Sequence, residues 1–329
     1  MAARHSLVLA LSGGRTKRRH NLLPLLFLSI LLFGCRPATP PPGSADQTQM
    51  APGPAIEATS APAKPTTVPE EVMEVHNGEY QLGAADGLQI VQLSDGDFVQ
   101  GTQGNDNFLS VTVTDFAAVG DLNADGTDEV AALVSENYGG TGTFVFLAVY
   151  ANVDGTWTFQ TSSMVDDRPE LNALSIEAGE IFLDAVIHGT DEPMCCPTLR
   201  TTRHYRLVGN ILDMTDYTTF TPAGNPRTIS IESPADGSET FTSVPIKGSV
   251  AIAPFENDLT YRIYDVGGVE LSVGAISVTA PDLGAPGTFN AVIPIGNILS
   301  GAVIRIEVQD ISAADGSLLA MDSVELVVK

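Results

Sequence analysis

The pattern of apolar positions predicts β-strands over much of the chain between residues 71 and 220. Apolar runs of strand length alternate there with Gly, Asp and Asn, and the clearest runs are 88–91, 109–113, 130–134, 143–150, 181–187 and 205–208. Such runs, separated by turn residues, are typical of antiparallel sheets. The one segment that favours a helix is short and lies near Glu170 and Leu174. We therefore predict a mostly β, antiparallel domain whose strand order the pattern leaves open.

A two-residue alternation of apolar and polar positions dominates residues 227–329. The alternating apolar residues are Leu259, Tyr261 and Ile263; Ile304, Ile306 and Val308; and Val324, Leu326 and Val328. Further strand-like runs occur at 229–231, 244–250, 269–278 and 289–295. About seven strands in about 100 residues fit an immunoglobulin-like β-sandwich. The region has no Cys and no Trp, so the disulfide and packing Trp of antibody domains are absent.

The same region carries spaced segments that resemble a known family. These segments are Ile-Ser-Ile-Glu-Ser-Pro at 229–234, Asp-Gly-Ser at 236–238, Val-Pro-Ile-Lys-Gly at 244–248, residues 255–259 and 261–265, and Asp-Gly-Ser at 315–317. Together they are similar to the bacterial immunoglobulin-like domain named from spore-germination proteins. The resemblance implies a surface β-sandwich that serves as an accessory or interaction module, and it supplies no catalytic residues.

The N-terminal segment is first basic and then apolar, and it ends in Leu32-Phe33-Gly34-Cys35. Its apolar run is roughly a dozen residues, which is short of the about 20 residues that a bilayer span needs and is typical of a signal peptide. The four-residue ending resembles the lipobox of bacterial lipoproteins. That resemblance implies that residues 1–34 are removed and that Cys35 carries a diacylglycerol, which would anchor the protein to the membrane on the extracytoplasmic face, at the cell surface or in the periplasm.

Residues 35–70 are rich in Pro, Ala and Thr and contain few large apolar side chains. Such a composition cannot offset its ordering entropy by burial, and its prolines favour extended conformations. We therefore predict a disordered stalk between the lipid and the folded part.

The charge of the chain limits its partners. Removal of residues 1–34 takes away five of the 16 basic residues and none of the 40 acidic ones, so the net charge goes from −24 to −29. Such a surface repels nucleic acid and anionic lipid. Membrane attachment is therefore expected through the lipid, and no nucleic-acid partner is expected.

The sharpest chemical signal is the acidic run of residues 121–129, which lies between two predicted strands. Oxygen-bearing residues at alternate positions and a Gly at the sixth suit a hard cation such as Ca²⁺. The run resembles the calcium loops of FG-GAP propeller repeats, which implies the side chains of Asp121, Asn123, Asp125 and Glu129 and the carbonyl of Thr127 as ligands. It occurs once, and Ala132 stands where an EF-hand has its last Glu. The other interpretation is an Asx-rich turn held by its own hydrogen bonds.

Cys195 and Cys196 are adjacent, so they can form no long-range disulfide within one chain. Three interpretations stay open: a strained vicinal disulfide, since Cα atoms about 3.8 Å apart lie below the usual disulfide range; a pair of redox-active thiols; or a metal site, such as one for zinc, completed by His188 and His204.

Catalytic motifs are missing from the sequence. Residues 139–143 read as a hairpin loop and not as a phosphate loop, and Asp166, Asp167 and Glu170 are interpreted as a solvated loop. We predict a non-enzymatic, lipid-anchored protein of the cell envelope that binds another protein or a wall glycan. The alternative is an extracytoplasmic redox or metal-binding protein that uses the Cys pair. A third possibility, an enzyme with carboxylates assembled in space, needs a cleft that the sequence does not show.

Overall fold

The computed structural model describes residues 70–83 and 88–329. The predicted signal peptide, Cys35 and the stalk up to residue 69 lie outside the described residues. Within the described part there are one six-residue helix, α1 (Glu70–Val75), and 20 strands. The strands are β1 (Glu79–Leu82), β2 (Gln89–Gln92), β3 (Asp97–Gln100), β4 (Leu109–Gly120), β5 (Glu129–Asn137), β6 (Phe144–Val153), β7 (Thr156–Asp167), β8 (Glu170–Glu177), β9 (Glu180–Ile187), β10 (Leu199–Val208), β11 (Ile211–Phe220), β12 (Pro226–Arg227), β13 (Ile229–Ser233), β14 (Ser238–Thr240), β15 (Ser243–Val250), β16 (Asp258–Asp265), β17 (Glu270–Thr279), β18 (Gly287–Pro294), β19 (Val303–Ile311) and β20 (Leu318–Val328).

The first half of the described chain is a sandwich of two antiparallel layers. One layer is a five-stranded sheet with the order β3-β4-β5-β6-β7, and the other contains β8 to β11. Alternate apolar residues of both layers meet in a shared core, which includes Leu133, Leu147, Ile181, Leu183 and Tyr205. The hairpin interpretation of residues 139–143 is confirmed, because this segment joins the paired strands β5 and β6.

The segment near Glu170 that favoured a helix is strand β8, so the helix prediction was wrong. Strand β8 pairs with β9, and a bulge between Leu171 and Ala173 shifts its register. Leu174 and Ile176, two residues apart, then pack against the core between the layers. Burial of these side chains in the core stabilises the strand by more than the weak local preference of the segment stabilises a helix.

The other face of the five-stranded sheet is covered by α1, β1 and β2. Val72 and Val75 of α1 are buried there, together with Tyr80 and Tyr150. The Tyr80 hydroxyl donates a hydrogen bond to the Val75 carbonyl oxygen, at 3.0 Å. A helix of six residues is too short for its periodicity to stand out in the sequence, and α1 was not predicted.

The C-terminal region forms a second sandwich. Strands β13, β15 and β18 supply one layer and β16, β19 and β20 the other, around a core that includes Ile246, Ile263, Phe289, Ile306 and Leu326. Strand β17 pairs with β16 over most of its length and with β18 only at Val278 and Thr279. The predicted mostly β, sandwich-like fold is confirmed.

The two sandwiches share one continuous sheet of 13 strands, because β11 pairs with β20. Paired residues lie on the same face of a sheet. The row of partners Leu183, Arg203, Tyr217, Met321 and Gln309 therefore leads from the core of the first sandwich to the sheet face opposite the core of the second, and Met321 and Gln309 are still buried on that face. The two sandwiches thus build their cores on opposite faces of the shared sheet. All three cores belong to one compact unit.

Candidate functional site

The predicted calcium loop connects β4 to β5, as the sequence indicated. Its amides donate hydrogen bonds back to its own side chains: Gly126 to Asp121 (3.0 Å), Asp125 to Asn123 (2.9 Å) and Thr127 to Asp125 (2.7 Å). These are the Asx-type bonds of the second interpretation. They occupy only part of each side chain's acceptor capacity, so they are compatible with a cation as well.

Glu129 is deeply buried beneath this loop. Its carboxylate accepts hydrogen bonds from the Leu122 amide (2.7 Å) and the Asn123 side chain (3.1 Å). Burial raises the pKa of Glu129, and the nearby carboxylates of the loop act in the same direction. Glu129 therefore acts as a structural anchor of the loop.

Asp121 is the residue of the loop that best fits a cation. Its Oδ1 atom is buried without a hydrogen-bond partner in the described structure. A buried carboxylate oxygen without a partner carries a desolvation cost, which a bound cation would offset. No three His, Cys, Asp or Glu side chains of the described residues converge as a metal site. The predicted ligand set also includes an amide side chain and a backbone carbonyl.

Cys195 and Cys196 lie on the connection between β9 and β10, and both are exposed free thiols in the structure. A hydrogen bond with Cys195 raises the pKa of the Cys196 thiol. Glu192 holds this connection in place, because its carboxylate accepts hydrogen bonds from the amides of Gly189 (3.0 Å) and Thr198 (2.9 Å). A disulfide between the two cysteines stays a prediction.

His188 begins the same connection and is held by Asp166. The Asp166 carboxylate oxygen lies 2.7 Å from the His188 amide nitrogen and 3.1 Å from Nδ1, and the His188 side chain is only 6% exposed. Its Nε2 atom is buried and has no hydrogen-bond partner in the described structure. Asp166 and its neighbour Asp167 are therefore structural, and their interpretation as a solvated loop was wrong: Asp167 is buried and paired with Arg168.

His204 does not join His188. It lies on β10 directly opposite Phe182, and His188 follows the far end of β9, six residues further along. At about 3.3 Å per residue this separation is about 20 Å. His204 pairs instead with Glu180, at 3.4 Å, and their hydrogen bond raises the pKa of His204 and lowers that of Glu180. The two histidines and two cysteines thus form no common site in the described part of the chain.

Sequence reasoning missed a cleft at one end of the second sandwich. It is formed by the β15–β16, β17–β18 and β19–β20 connections and has a volume of about 550 Å³. Most of its lining is apolar: Ile252, Ala253, Pro254, Phe255, Leu283, Gly284, Ile311, Ala313, Ala314 and Leu319. Loops at the end of a sandwich are a common location for binding sites. No sequence signal could have grouped these residues, because they lie on separate connections.

Two exposed side chains flank this loop-end cleft. Phe255 is 68% exposed and Leu283 is 75% exposed. Phe255 begins a short 3-10 turn in which Glu256 and Asn257 have positive φ angles of 62° and 57°, a conformation that costs L-residues energy. The turn holds the Phe255 side chain in solvent, so this side chain contributes none of the stabilisation that burial of a Phe usually provides.

The polar part of the loop-end cleft consists of Ser312 and one ion pair. Arg227 and the buried Asp310 are 2.8 Å apart, with Arg227 about one quarter exposed. In the adjoining β19–β20 turn, interactions with the side chains of Ser312 and Thr190 lower the pKa of Asp315. The cleft therefore presents an apolar wall and one guanidinium.

No helix in the described ranges is long and apolar enough to cross a membrane.

Comparisons with known proteins assign no family. No family model matches the sequence, and no curated protein matches it. Among solved structures, the chain is similar to a mutant of the trimeric ectodomain of the C. elegans fusion protein EFF-1, truncated at its C-terminus, at 8% identity over 67% of this chain and 77% of that chain, with a TM-score of 0.19. A likeness this low carries no argument about function, so the lipoprotein and immunoglobulin-like family resemblances stay predictions.

Proposed function

We propose that this protein is a non-catalytic binding protein of the cell envelope, anchored by a lipid at Cys35. The observation that carries the binding role is the loop-end cleft, where Phe255 and Leu283 are exposed among the residues that line a mostly apolar pocket. Exposed apolar side chains around a concave site mark a surface that gains free energy when a partner covers it.

The chemistry of the loop-end cleft favours a protein partner over a wall glycan. Arg227, Asp310 and Ser312 are the polar residues among its lining, and the first two already pair with each other. A sugar ring needs many hydrogen-bonding groups, whereas an apolar side chain needs an apolar pocket. The partner we propose therefore inserts an apolar or aromatic side chain between Phe255 and Leu283.

Binding to two separated fractions of the envelope tests this function. The full chain is incubated with solubilised envelope proteins and, separately, with purified cell-wall glycan. Phe255→Ala with Leu283→Ala should abolish a saturable interaction with the protein fraction. Leu299→Ala, which removes a similarly exposed leucine outside the cleft, should leave the interaction intact. Saturable binding to the glycan alone would support the glycan alternative. Turnover of an envelope substrate that depends on a cleft residue would refute a non-catalytic role.

Calcium at the 121–129 loop is a second part of the proposal, with a structural role. Support comes from the buried Asp121 Oδ1 atom, which has no hydrogen-bond partner in the described structure. Calcium should then raise the melting temperature of the wild-type protein and of Asp128→Asn, whose side chain is exposed and outside the proposed ligand set. It should leave Asp121→Asn unchanged. A wild-type protein that shows no calcium effect would rule out this part.

The redox alternative is favoured by one observation, the exposure of the two adjacent thiols. A thiol count on protein made in an oxidising compartment separates the cases. Two thiols that cycle between reduced and oxidised forms would support a redox role, and an inert bridge would leave the binding role as the better account.

A further inference from the structure

Three sulfur-bearing side chains lie next to one another on the connection between β9 and β10. Met194 is 48% exposed, and Cys195 and Cys196 are exposed free thiols. The two thiols are hydrogen-bonded to each other, so their sulfur atoms are neighbours in space as well as in sequence. Thiolate and thioether sulfur atoms are the ligands that soft metal ions prefer. This segment therefore offers three sulfur atoms to one soft metal ion.

The backbone around these sulfur atoms is held by hydrogen bonds of the connection itself. The Cys196 amide donates to the Pro193 carbonyl oxygen at 3.2 Å, which places Met194 and Cys195 at the centre of a β-turn. Glu192 holds the two ends of the connection together, because its carboxylate accepts hydrogen bonds from an amide on either side. A segment that is already ordered loses little conformational entropy when an ion binds to it.

Arg168, in the turn between β7 and β8, supplies a positive charge near the thiols. The pKa of Arg168 is raised by its hydrogen bond with Asp167 and, to a smaller extent, by its attraction to Cys195. Cysteine binds metal ions as the thiolate, which a neighbouring guanidinium favours. Two thiolates around a monovalent cation leave one negative charge, which Arg168 offsets in a chain with a net charge of −24.

We propose that Met194, Cys195 and Cys196 bind Cu(I), a soft monovalent cation, through their three sulfur atoms. The ligand chemistry selects Cu(I) over zinc. Structural zinc sites take four ligands from Cys, His, Asp and Glu, and no three such side chains of the described residues converge. Cu(I) is selected by thiolate and thioether sulfur. All three side chains are exposed, so the ion can enter and leave without rearrangement of a core.

This ligand set differs from the one that the sequence suggested for the Cys pair. Met194 takes the place of His188 and His204, which the structure does not bring together with the cysteines. The site shares its thiols with the redox alternative. It uses no residue that lines the loop-end cleft, so it does not rest on the proposed binding role.

Anaerobic competition with a chromophoric Cu(I) chelator tests the site on the reduced full-length chain. Every protein carries Cys35→Ser, which leaves Cys195 and Cys196 as its thiols. This parent protein should retain a single Cu(I) ion. Cys196→Ser should lower the affinity for Cu(I) at least about tenfold, since one thiolate is lost.

Met194→Leu tests the thioether, because it keeps the size of the side chain and removes the sulfur atom. It should lower the affinity for Cu(I) about tenfold. Met164→Leu is the matched control, since Met164 on β7 is 44% exposed, and it should keep the affinity of the parent. Circular dichroism confirms that each variant is folded.

X-ray absorption at the copper edge supplies the second measurement and should show sulfur ligands alone. A parent protein that retains no Cu(I), or a Cys196→Ser protein that retains it equally well, would overturn the site. Equal affinity in Met194→Leu and the parent would overturn the three-sulfur ligand set. Thiols that cycle between reduced and oxidised forms without retaining Cu(I) would refute the copper site and favour the redox alternative. None of these results bears on partner binding at the loop-end cleft.

Discussion

Asp216 on β11 and Asp322 on β20 lie directly opposite each other in the three-residue ladder that joins the two sandwiches. Asp322 also accepts hydrogen bonds from the amides of Ile231 (2.6 Å) and Ser323 (2.8 Å). Burial raises the pKa of each carboxyl to about 6, and the charge of Asp322 adds to the effect on Asp216. Like charges directly opposite each other destabilise a strand pair. The junction between the sandwiches is therefore more stable when this pair holds a proton.

Asp216→Asn should flatten the dependence of stability on pH. The pKa of Asp216 rises from about 3.9 in the unfolded chain to about 6 in the fold, so the native state binds more protons and the free energy of unfolding falls between about pH 4 and pH 6. His204, whose pKa is also raised, acts in the same direction at higher pH. The variant should be about 1 to 2 kcal/mol more stable than the wild type at pH 7.5.

Urea denaturation at a series of pH values measures this difference. Asp154→Asn, in the exposed turn between β6 and β7, is the control and should keep the wild-type slope. An unchanged slope in Asp216→Asn would show that this carboxyl does not titrate with folding.

Gly248→Ala should destabilise the second sandwich. A Cβ atom at Gly248 would overlap the Ser230 carbonyl oxygen of β13 and the ring of Phe289 on β18. Backbone cannot move away as a flexible side chain can, so we expect a loss of about 3 kcal/mol. Gly140→Ala is the control, because no atom lies within 4 Å of its Cβ position, and it should cost less than about 0.5 kcal/mol. Equal melting temperatures for the two variants would contradict the close approach of these strands.

Glu129→Ala should cost about 1 to 3 kcal/mol, because it leaves the buried Leu122 amide without an acceptor. Glu129→Gln keeps one acceptor oxygen and should cost less. Both are measured by chemical denaturation without calcium, with exposed Asp128→Ala as the control. If Glu129→Gln lost as much stability as Glu129→Ala, the hydrogen bond from the Leu122 amide would not be the main contribution of Glu129 to stability.

Cys195→Ala should increase the reactivity of Cys196 in the folded, reduced protein. The hydrogen bond with Cys195 raises the pKa of the Cys196 thiol, and the thiolate is the reactive form. Alkylation of Cys196 at pH 8 should therefore be several-fold faster in the variant than in the wild type. In the wild type, mass spectrometry distinguishes alkylation of Cys196 from alkylation of Cys195. A slower reaction would show that Cys195 activates its neighbour.

Much of the fold follows from local pattern. The alternation at Leu259, Tyr261 and Ile263 predicted β16, and the turn residues of 121–129 predicted a loop between two strands. These predictions succeeded because a strand with one buried face must alternate and because a tight turn needs residues that tolerate it. Helix α1 and strand β8 were missed, because each is held by packing against a core that is remote in sequence.

The sequence by itself determined the class of the fold, many of the strand positions and the acidic character of the chain, since these depend on each residue and its near neighbours. Only the tertiary structure decided that β11 pairs with β20, that Asp216 faces Asp322, that His188 and His204 are apart, and that Phe255 and Leu283 flank one cleft. These relationships join residues from distant segments. They depend on strand order and register, which the free energy of the whole packed chain selects and which a two-residue repeat does not encode.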